Sequence, residues 1–515
     1  MYGAPFLPDS SPPFGIVWPN AGGVEPVSVI LPRVRRFELA VALTTRDPNA
    51  GRRHDSAAKN LLVLSLFFLV ISSVLAAVML VSIRFPGFTS PTSFGVLRPV
   101  TYTSAFLGWL VPSFLAGTYY VLPRLTGAPL WREDIAGLGG LALGGVTSAG
   151  LIVVALGLGD GIGPLSLPWW IDLPILVLLL IPVAVVTQTI RRRNETAVYV
   201  SLWYLMTGVL LLPVAYLIGN LPNLTAIGTA AESSFFTNAF LILWVVGMGS
   251  GLAYYTVPKT IDQPLASRSL ARVGFWSLVL AAAWGGPAWL VHSPLPNWSE
   301  SVAAVLGLAG LVAALATTAN YALTASARWA DRSEQPSLSA AWIGACFTVV
   351  VAGLMSVGGF PSAATLFGFT TYWEGVLFAA TFGVGSLFTA AWAYQALPNL
   401  TGRAVYSNRL ARRHIRLTIV GVGGTALFLG LAGLVSGYAA TGAALSMGDE
   451  APTSVLRSDV ALGAAAFFGL VAMWAQLTLF TNLVRTVTSG RATLSEVLVT
   501  TEAKGSGPPP REGER

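Results

Sequence analysis

Twelve stretches of this 515-residue chain are apolar for the length of a bilayer crossing, and that feature removes most folds from consideration. They cover residues 60–83, 98–123, 137–159, 169–190, 196–219, 234–257, 270–291, 300–324, 338–357, 371–398, 416–438 and 459–483. A helix needs about 20 apolar residues to cross the hydrocarbon core. Lipid offers backbone N–H and C=O groups no partner, so only helices and closed barrels span it. The runs lack the alternation of barrel strands. The expected fold is therefore an all-α integral membrane protein of twelve transmembrane helices. A charged fraction of 10%, against about 25% in soluble proteins, agrees.

The residues outside the runs set organisation and orientation. The first run starts at Asn60 at full length, so it reads as a span and not a cleaved signal. Residues 1–59 read as a Pro-rich, partly disordered N-terminal segment, 60–483 as the membrane domain, and 484–515 as a flexible tail. Of the 30 Lys and Arg residues, 27 fall on the side that carries both ends and 3 on the other. The positive-inside rule then places both termini in the cytoplasm. This distribution explains the net charge of +7 without nucleic acid. Cys346 is the only cysteine, which excludes an intrachain disulfide, a CxxC site and covalent c-type haem attachment.

Three run ends resemble one another: "YYVLPRLTGAPL" from Tyr119, "YYTVPKTIDQPL" from Tyr254 and "AYQALPNLTGRAV" from Ala393. Their prolines, Pro123, Pro258 and Pro398, are 135 and 140 residues apart. Recurrence at a near-fixed period points to three quasi-equivalent four-helix groups. Proline lacks an N–H and disfavours helix before it, so each is expected to end its helix at the cytoplasmic face.

With these features in place, "FGVLRPVTYTSAF", "FFTNAFLILWVVGMGSGLAYYTVPKTIDQPLASRSLARVGFW" and "WGGPAWLVHSPLPNW" resemble segments of subunit I of the heme-copper oxidase superfamily, most closely its C-type members. The similarity runs from about Phe94 to Tyr406. The resemblance implies an oxidase subunit I-like fold and a terminal oxidase that reduces oxygen or nitric oxide. It also implies haem and copper cofactors, and partner membrane subunits such as c-type cytochromes. Lipid is the other expected partner. The setting would be the plasma membrane of a bacterium or archaeon.

That chemistry takes six histidines in the family: two for a low-spin haem, one for a high-spin haem and three for copper. This chain has three in all, His54, His292 and His414. Carried over by motif, the low-spin haem ligand in the second helix falls on Thr101, after Arg98-Pro99-Val100. The copper ligand in the sixth helix falls on Thr237, before Asn238. The pair in the seventh falls on Ala288 and Trp289, and the cross-linked tyrosine on Ala282. The His-x-His pair in the tenth falls on Val376 and Phe378. No haem or copper is therefore expected on this chain, and a non-catalytic scaffold is the first reading. A haem protein with unusual ligands (Tyr102, Met248, Met355 or His292) and a transporter or channel remain alternatives.

Other residues stand out less. His292 reads as a remnant outer-surface site or as an interfacial histidine among headgroups. His54 and His414 sit in basic segments and are expected to be solvated or near lipid phosphates. Glu374, near an outer helix end, is a candidate for a proton path, a subunit contact or a water-exposed carboxylate. Asp172 and Glu232 are expected at helix starts, where a carboxylate complements the dipole. The glycines of "GLGGLALGGVTSAG" read as close helix contacts and not as a phosphate loop. The basic stretch from Arg403 to Arg416 and the Arg191-Arg192-Arg193 triplet are candidates for anionic lipid or a partner's acidic tail.

Overall fold

The computed structural model describes residues 55–89, 94–161, 163–220, 225–326, 334–446 and 451–491. His54, most of segment 1–59 and the tail beyond 491 lie outside them. The long helical segments are α1 (Ser56–Arg84), α2 (Phe94–Thr126), α3 (Glu133–Ala155), α4 (Trp169–Arg191), α5 (Val200–Gly219) and α6 (Ala226–Ile261). They continue with α7 (Arg268–Trp284), α8 (Asn297–Ala325), α9 (Pro336–Gly358), α10 (Thr371–Thr401), α11 (Asn408–Ser446) and α12 (Ala451–Ser489).

All but α7 contain a stretch long and apolar enough to cross a membrane. α7 is 17 residues long and gives way at Gly285 to a 3₁₀ turn, Gly286–Leu290. The sequence expectation ran a helix through to residue 291. Pro287, with no N–H to continue the ladder, sits in that turn instead. The C-terminal end of α7 is covered from α6, where Asn238 Nδ2 donates to the carbonyls of Ala281 (3.0 Å) and Ala282 (3.1 Å).

Three helices form the centre. The apolar windows of α2 and α10 are wholly buried and that of α6 is 94% buried, whereas the other spans bury 33–56% of theirs. A helix apolar on all sides and shielded from lipid must have helices around it, and α2, α6 and α10 do. They carry the three similar sequence ends. In each, the hydrogen bonding widens from α to π geometry, over Ser104–Leu110, Phe240–Met248 and Ala379–Gly385. These stretches begin 19, 18 and 19 residues before the respective proline.

The prolines do not end their helices, which corrects the sequence expectation. Each helix runs on for three residues, to Thr126, Ile261 and Thr401. A proline in the last turn forfeits only its own N–H bond. Termination comes one residue later, at a left-handed cap: Gly127 (φ 67°), Asp262 (φ 52°) and Gly402 (φ 67°). Each cap N–H donates back to the proline carbonyl.

The repeat extends past the caps. Trp131 N–H donates to Thr189 Oγ1 (3.0 Å), Ala266 N–H to Thr324 Oγ1 (3.1 Å) and Tyr406 N–H to Thr486 Oγ1 (3.0 Å). Each donor stands eight residues after its proline. One position on, Ser267 N–H donates to Asn320 Oδ1 (3.1 Å) and Ser407 N–H to Asn482 Oδ1 (3.2 Å). The same asparagines donate to the serine carbonyls. Each lies four residues before its threonine; in the first group that place is Val185. The three quasi-equivalent groups are thus real in three dimensions.

The glycines of α3 act as contacts on two faces. Gly140 and Gly144 meet Leu61 and Leu64 of α1, and Gly139 meets Ile181 of α4. A Cβ at these places would press into side chains of the neighbouring helix, so glycine permits the approach.

Candidate functional site

The positions that the resemblance assigns to the family's ligands fall in the N-terminal halves of the central helices and on the broken end of α7. Thr101, fully buried, donates its hydroxyl to Leu97 O at 2.7 Å. Thr237 does the same to Ser233 O at 2.8 Å. Both hydroxyl protons are thus spent on the preceding turn of their own helix. Val376 and Phe378 are buried in α10. Phe378 packs on Phe382 with ring centroids 4.9 Å apart, and Phe382 packs on Trp109 of α2 at 5.7 Å.

Further contacts draw the central helices together. Phe106 of α2 stacks on Phe240 of α6 at 4.1 Å, and Trp244 Nε1 donates to Leu110 O at 3.2 Å. A Cβ on Gly385 of α10 would stand 2.7 Å from Leu110. The widened turns and aromatic rings therefore fill the space between α2, α6 and α10 with side chains. Such filling is what a well-packed core demands, because an unfilled cavity loses contacts on every wall.

The positions that the resemblance assigns to copper ligands lie closer together. Ala288 and Trp289 face α6 near Asn238, the neighbour of Thr237, around a cavity also lined by Ala281, Trp373 and Met355. Its volume is ≈ 20 Å³. A single water needs about 10–15 Å³ on that scale, so there is room for one water. Trp289 closes it from one side, stacked on Trp373 at 4.4 Å and 27°. Ala282 lies in the last turn of α7, its carbonyl taken by Asn238. Among the described residues, no three of His, Cys, Asp and Glu come together in a way that could hold a metal ion.

Sequence reasoning missed the polar cluster beside these positions. Glu374 is buried, which corrects its reading as a water-exposed carboxylate. It accepts from Arg98 Nε at 2.8 Å and from the Tyr102 hydroxyl. Arg98 also lies over the Tyr102 ring, 5.5 Å from its centroid. Arg98 and Tyr102 are four apart on one face of α2, and Glu374 lies in the first turn of α10. That spacing of a cation and a phenol within a membrane span was the available signal. The cluster ties α2 to α10; Tyr102 is thereby engaged as a hydrogen-bond donor.

The remaining candidates are dispersed. His292 is exposed, in a left-handed conformation (φ 67°), with Nε2 2.8 Å from Pro361 O. His414 is fully buried in α11, not solvated as expected, because its helix turns that face inward with Ala411 and Thr418. Asp172 is buried and accepts from the Tyr216 hydroxyl at 2.6 Å, so it serves a side-chain contact more than a free helix end. Glu232 lies seven residues into α6, past its first turn, because that helix begins at Ala226. Met248 is buried against Gly208, apart from Met355 at the cavity.

The sequence profile described as "Cytochrome C and Quinol oxidase polypeptide I" matches residues 56–492, the whole described bundle. The chain belongs to this family. It is similar to cytochrome c oxidase subunit 1 of Rhodobacter capsulatus, with 23% identity over 413 residues covering 73% of this chain and 74% of that protein. It is similar to a cytochrome c oxidase subunit 1 homolog of Agrobacterium tumefaciens, with 22% identity covering 74% and 73%. A third relative is the cbb3-type cytochrome c oxidase subunit CcoN1 of Stutzerimonas stutzeri, 24% identical over 64% of this chain and 72% of that protein. This subunit I-like protein is thus a multi-pass integral membrane protein, and its relatives are oxidase subunits.

Proposed function

We propose that this subunit I-like chain has given up its own haem and copper centres and serves as a non-catalytic scaffold in a respiratory membrane complex. The observation that carries the reading is the donor set. Axial ligation of haem iron and binding of copper draw on imidazole and similarly strong donors. The six family positions hold Thr101, Thr237, Ala288, Trp289, Val376 and Phe378. Hydroxyl, methyl, indole and phenyl groups do not fit iron or copper there. Rings packed from α2 to α10 and α6, and a cavity beside Ala288 and Trp289 with room for one water, support the same reading. Fold does not carry function without its site, so oxygen or nitric oxide reduction is not assigned to this chain.

On this reading the scaffold keeps the surfaces by which subunit I meets other subunits. Its partners are other membrane subunits of an oxidase-type complex, with c-type cytochrome chains among them. The arginine distribution favours cytoplasmic termini, and the relatives' sources favour a bacterial plasma membrane.

The test is a pyridine haemochrome assay with copper analysis on the purified chain, followed by identification of co-purifying subunits. The expected result is no stoichiometric haem or copper on the isolated chain and haem only in fractions holding other subunits. About one or two haems on the chain alone would overturn the proposal and turn the search to non-histidine ligands.

A further inference from the structure

We infer that one membrane-facing stripe of α11 is a seat for an anionic phospholipid, with the lipid phosphate held by Arg409, Arg413 and Arg416. All three are exposed. At 3.6 residues per turn they fall within roughly 60° of arc. The described ion pairs engage Arg84, Arg98, Arg124 and Arg132, and none of these three arginines has a carboxylate partner among the described residues. Three guanidiniums thus line one face over about 10 Å of helix, with no carboxylate among the described residues paired to them.

What lies deeper along the same face identifies the partner as a lipid. Val420 and Leu427 continue the stripe, 52% and 58% exposed. They stand about 6 and 16 Å beyond Arg416 at 1.5 Å per residue, the depth of one leaflet's acyl chain. Trp474 of α12 is 53% exposed, and Arg413 lies over its ring at 5.8 Å. An indole in that place marks the boundary between headgroups and hydrocarbon. A soluble acidic peptide would satisfy the arginines but leave the apolar continuation uncovered. A phospholipid satisfies both ends with one molecule. A zwitterionic lipid brings no net charge to offset three cations, so an anionic headgroup is favoured. The Arg191-Arg192-Arg193 triplet has equal charge, but consecutive residues at a helix end fan around it and present no single face.

The test uses the full-length chain in mild detergent, delipidated and then given phosphatidylglycerol or phosphatidylcholine in mixed micelles, with binding read by native mass spectrometry. Phosphatidylglycerol is expected to stay bound and raise the melting temperature more than phosphatidylcholine. The triple variant R409Q/R413Q/R416Q is expected to lose phosphatidylglycerol affinity by about 100-fold, at roughly fivefold per arginine. R191Q/R192Q/R193Q is expected to retain it, which separates a built seat from general surface charge. Equal binding of the two lipids, equal loss in both triple variants, or occupancy of the seat by a polypeptide in the native membrane extract would each overturn the inference. None of these outcomes depends on whether the chain binds haem.

Discussion

The two ends of the three central helices obey different rules. On the proline side, α2, α6 and α10 finish alike: proline in the last turn, a left-handed cap, then a backbone N–H on a threonine two helices onward. At the opposite end each helix is individual. α2 and α10 share the Arg98–Tyr102–Glu374 cluster, α6 covers the broken end of α7, and Trp373 stacks on Trp289. The difference teaches where the fold and the family's chemistry reside. Backbone groups must be satisfied in lipid whatever the protein does, so the terminations repeat. Side chains at the opposite ends make contacts particular to each helix, so those ends differ from one another.

The largest expected effect tests the end opposite the prolines. Trp373→Ala removes one half of a ring stack and opens the small cavity beside it. It should cost about 3–5 kcal/mol in equilibrium unfolding in mixed detergent. Hydrogen exchange should show the loss in α9 and α10 while the amides of Trp131, Ala266 and Tyr406 stay protected. Equal loosening at both ends would erase the contrast between them.

Next comes Glu374→Ala, which leaves the Tyr102 hydroxyl and the Arg98 guanidinium without their acceptor. Arg98 keeps some access to solvent, so the cost should be about 2–3 kcal/mol, below that of breaking a fully buried pair. Glu374→Gln, which still accepts from Tyr102, should cost less. A melting temperature unchanged in both variants would mean that the cluster fastens nothing.

On the proline side, Thr189→Val, Thr324→Val and Thr486→Val each strand one backbone N–H. Each should cost about 1–2 kcal/mol, and the three costs should agree within about 0.5 kcal/mol if the groups are energetically as well as geometrically alike. One value standing far from the other two would break the equivalence.

The smallest effects concern the caps. Gly127→Ala and Gly402→Ala force a Cβ into left-handed geometry and should each cost about 1 kcal/mol. Asp262→Gly at the equivalent place should stabilise by about 0.5 kcal/mol, so the sign of the change should follow which residue nature left there.

The spans and the threefold repeat were legible because each is a pattern along one dimension. Apolar length, recurring prolines and a histidine count need no knowledge of neighbours. The proline misled because the sequence rule says where a helix weakens, and only the cap shows where it stops. His414 misled for a related reason: a basic neighbourhood along the chain says little about which face of α11 turns inward.

By itself, then, the sequence determined that this chain must satisfy its backbone in twelve largely apolar helical segments, that these come in three related groups, and that it carries three histidines in all. Tertiary structure decided what stands in the space between the central helices and which polar residues meet there. Arg98 and Glu374 lie 276 residues apart along the chain, and Trp289 and Trp373 belong to different groups. Such meetings are set by how helices rotate about their own axes to fill volume without voids. That rotation depends on every neighbour at once, and no single stretch of sequence contains it.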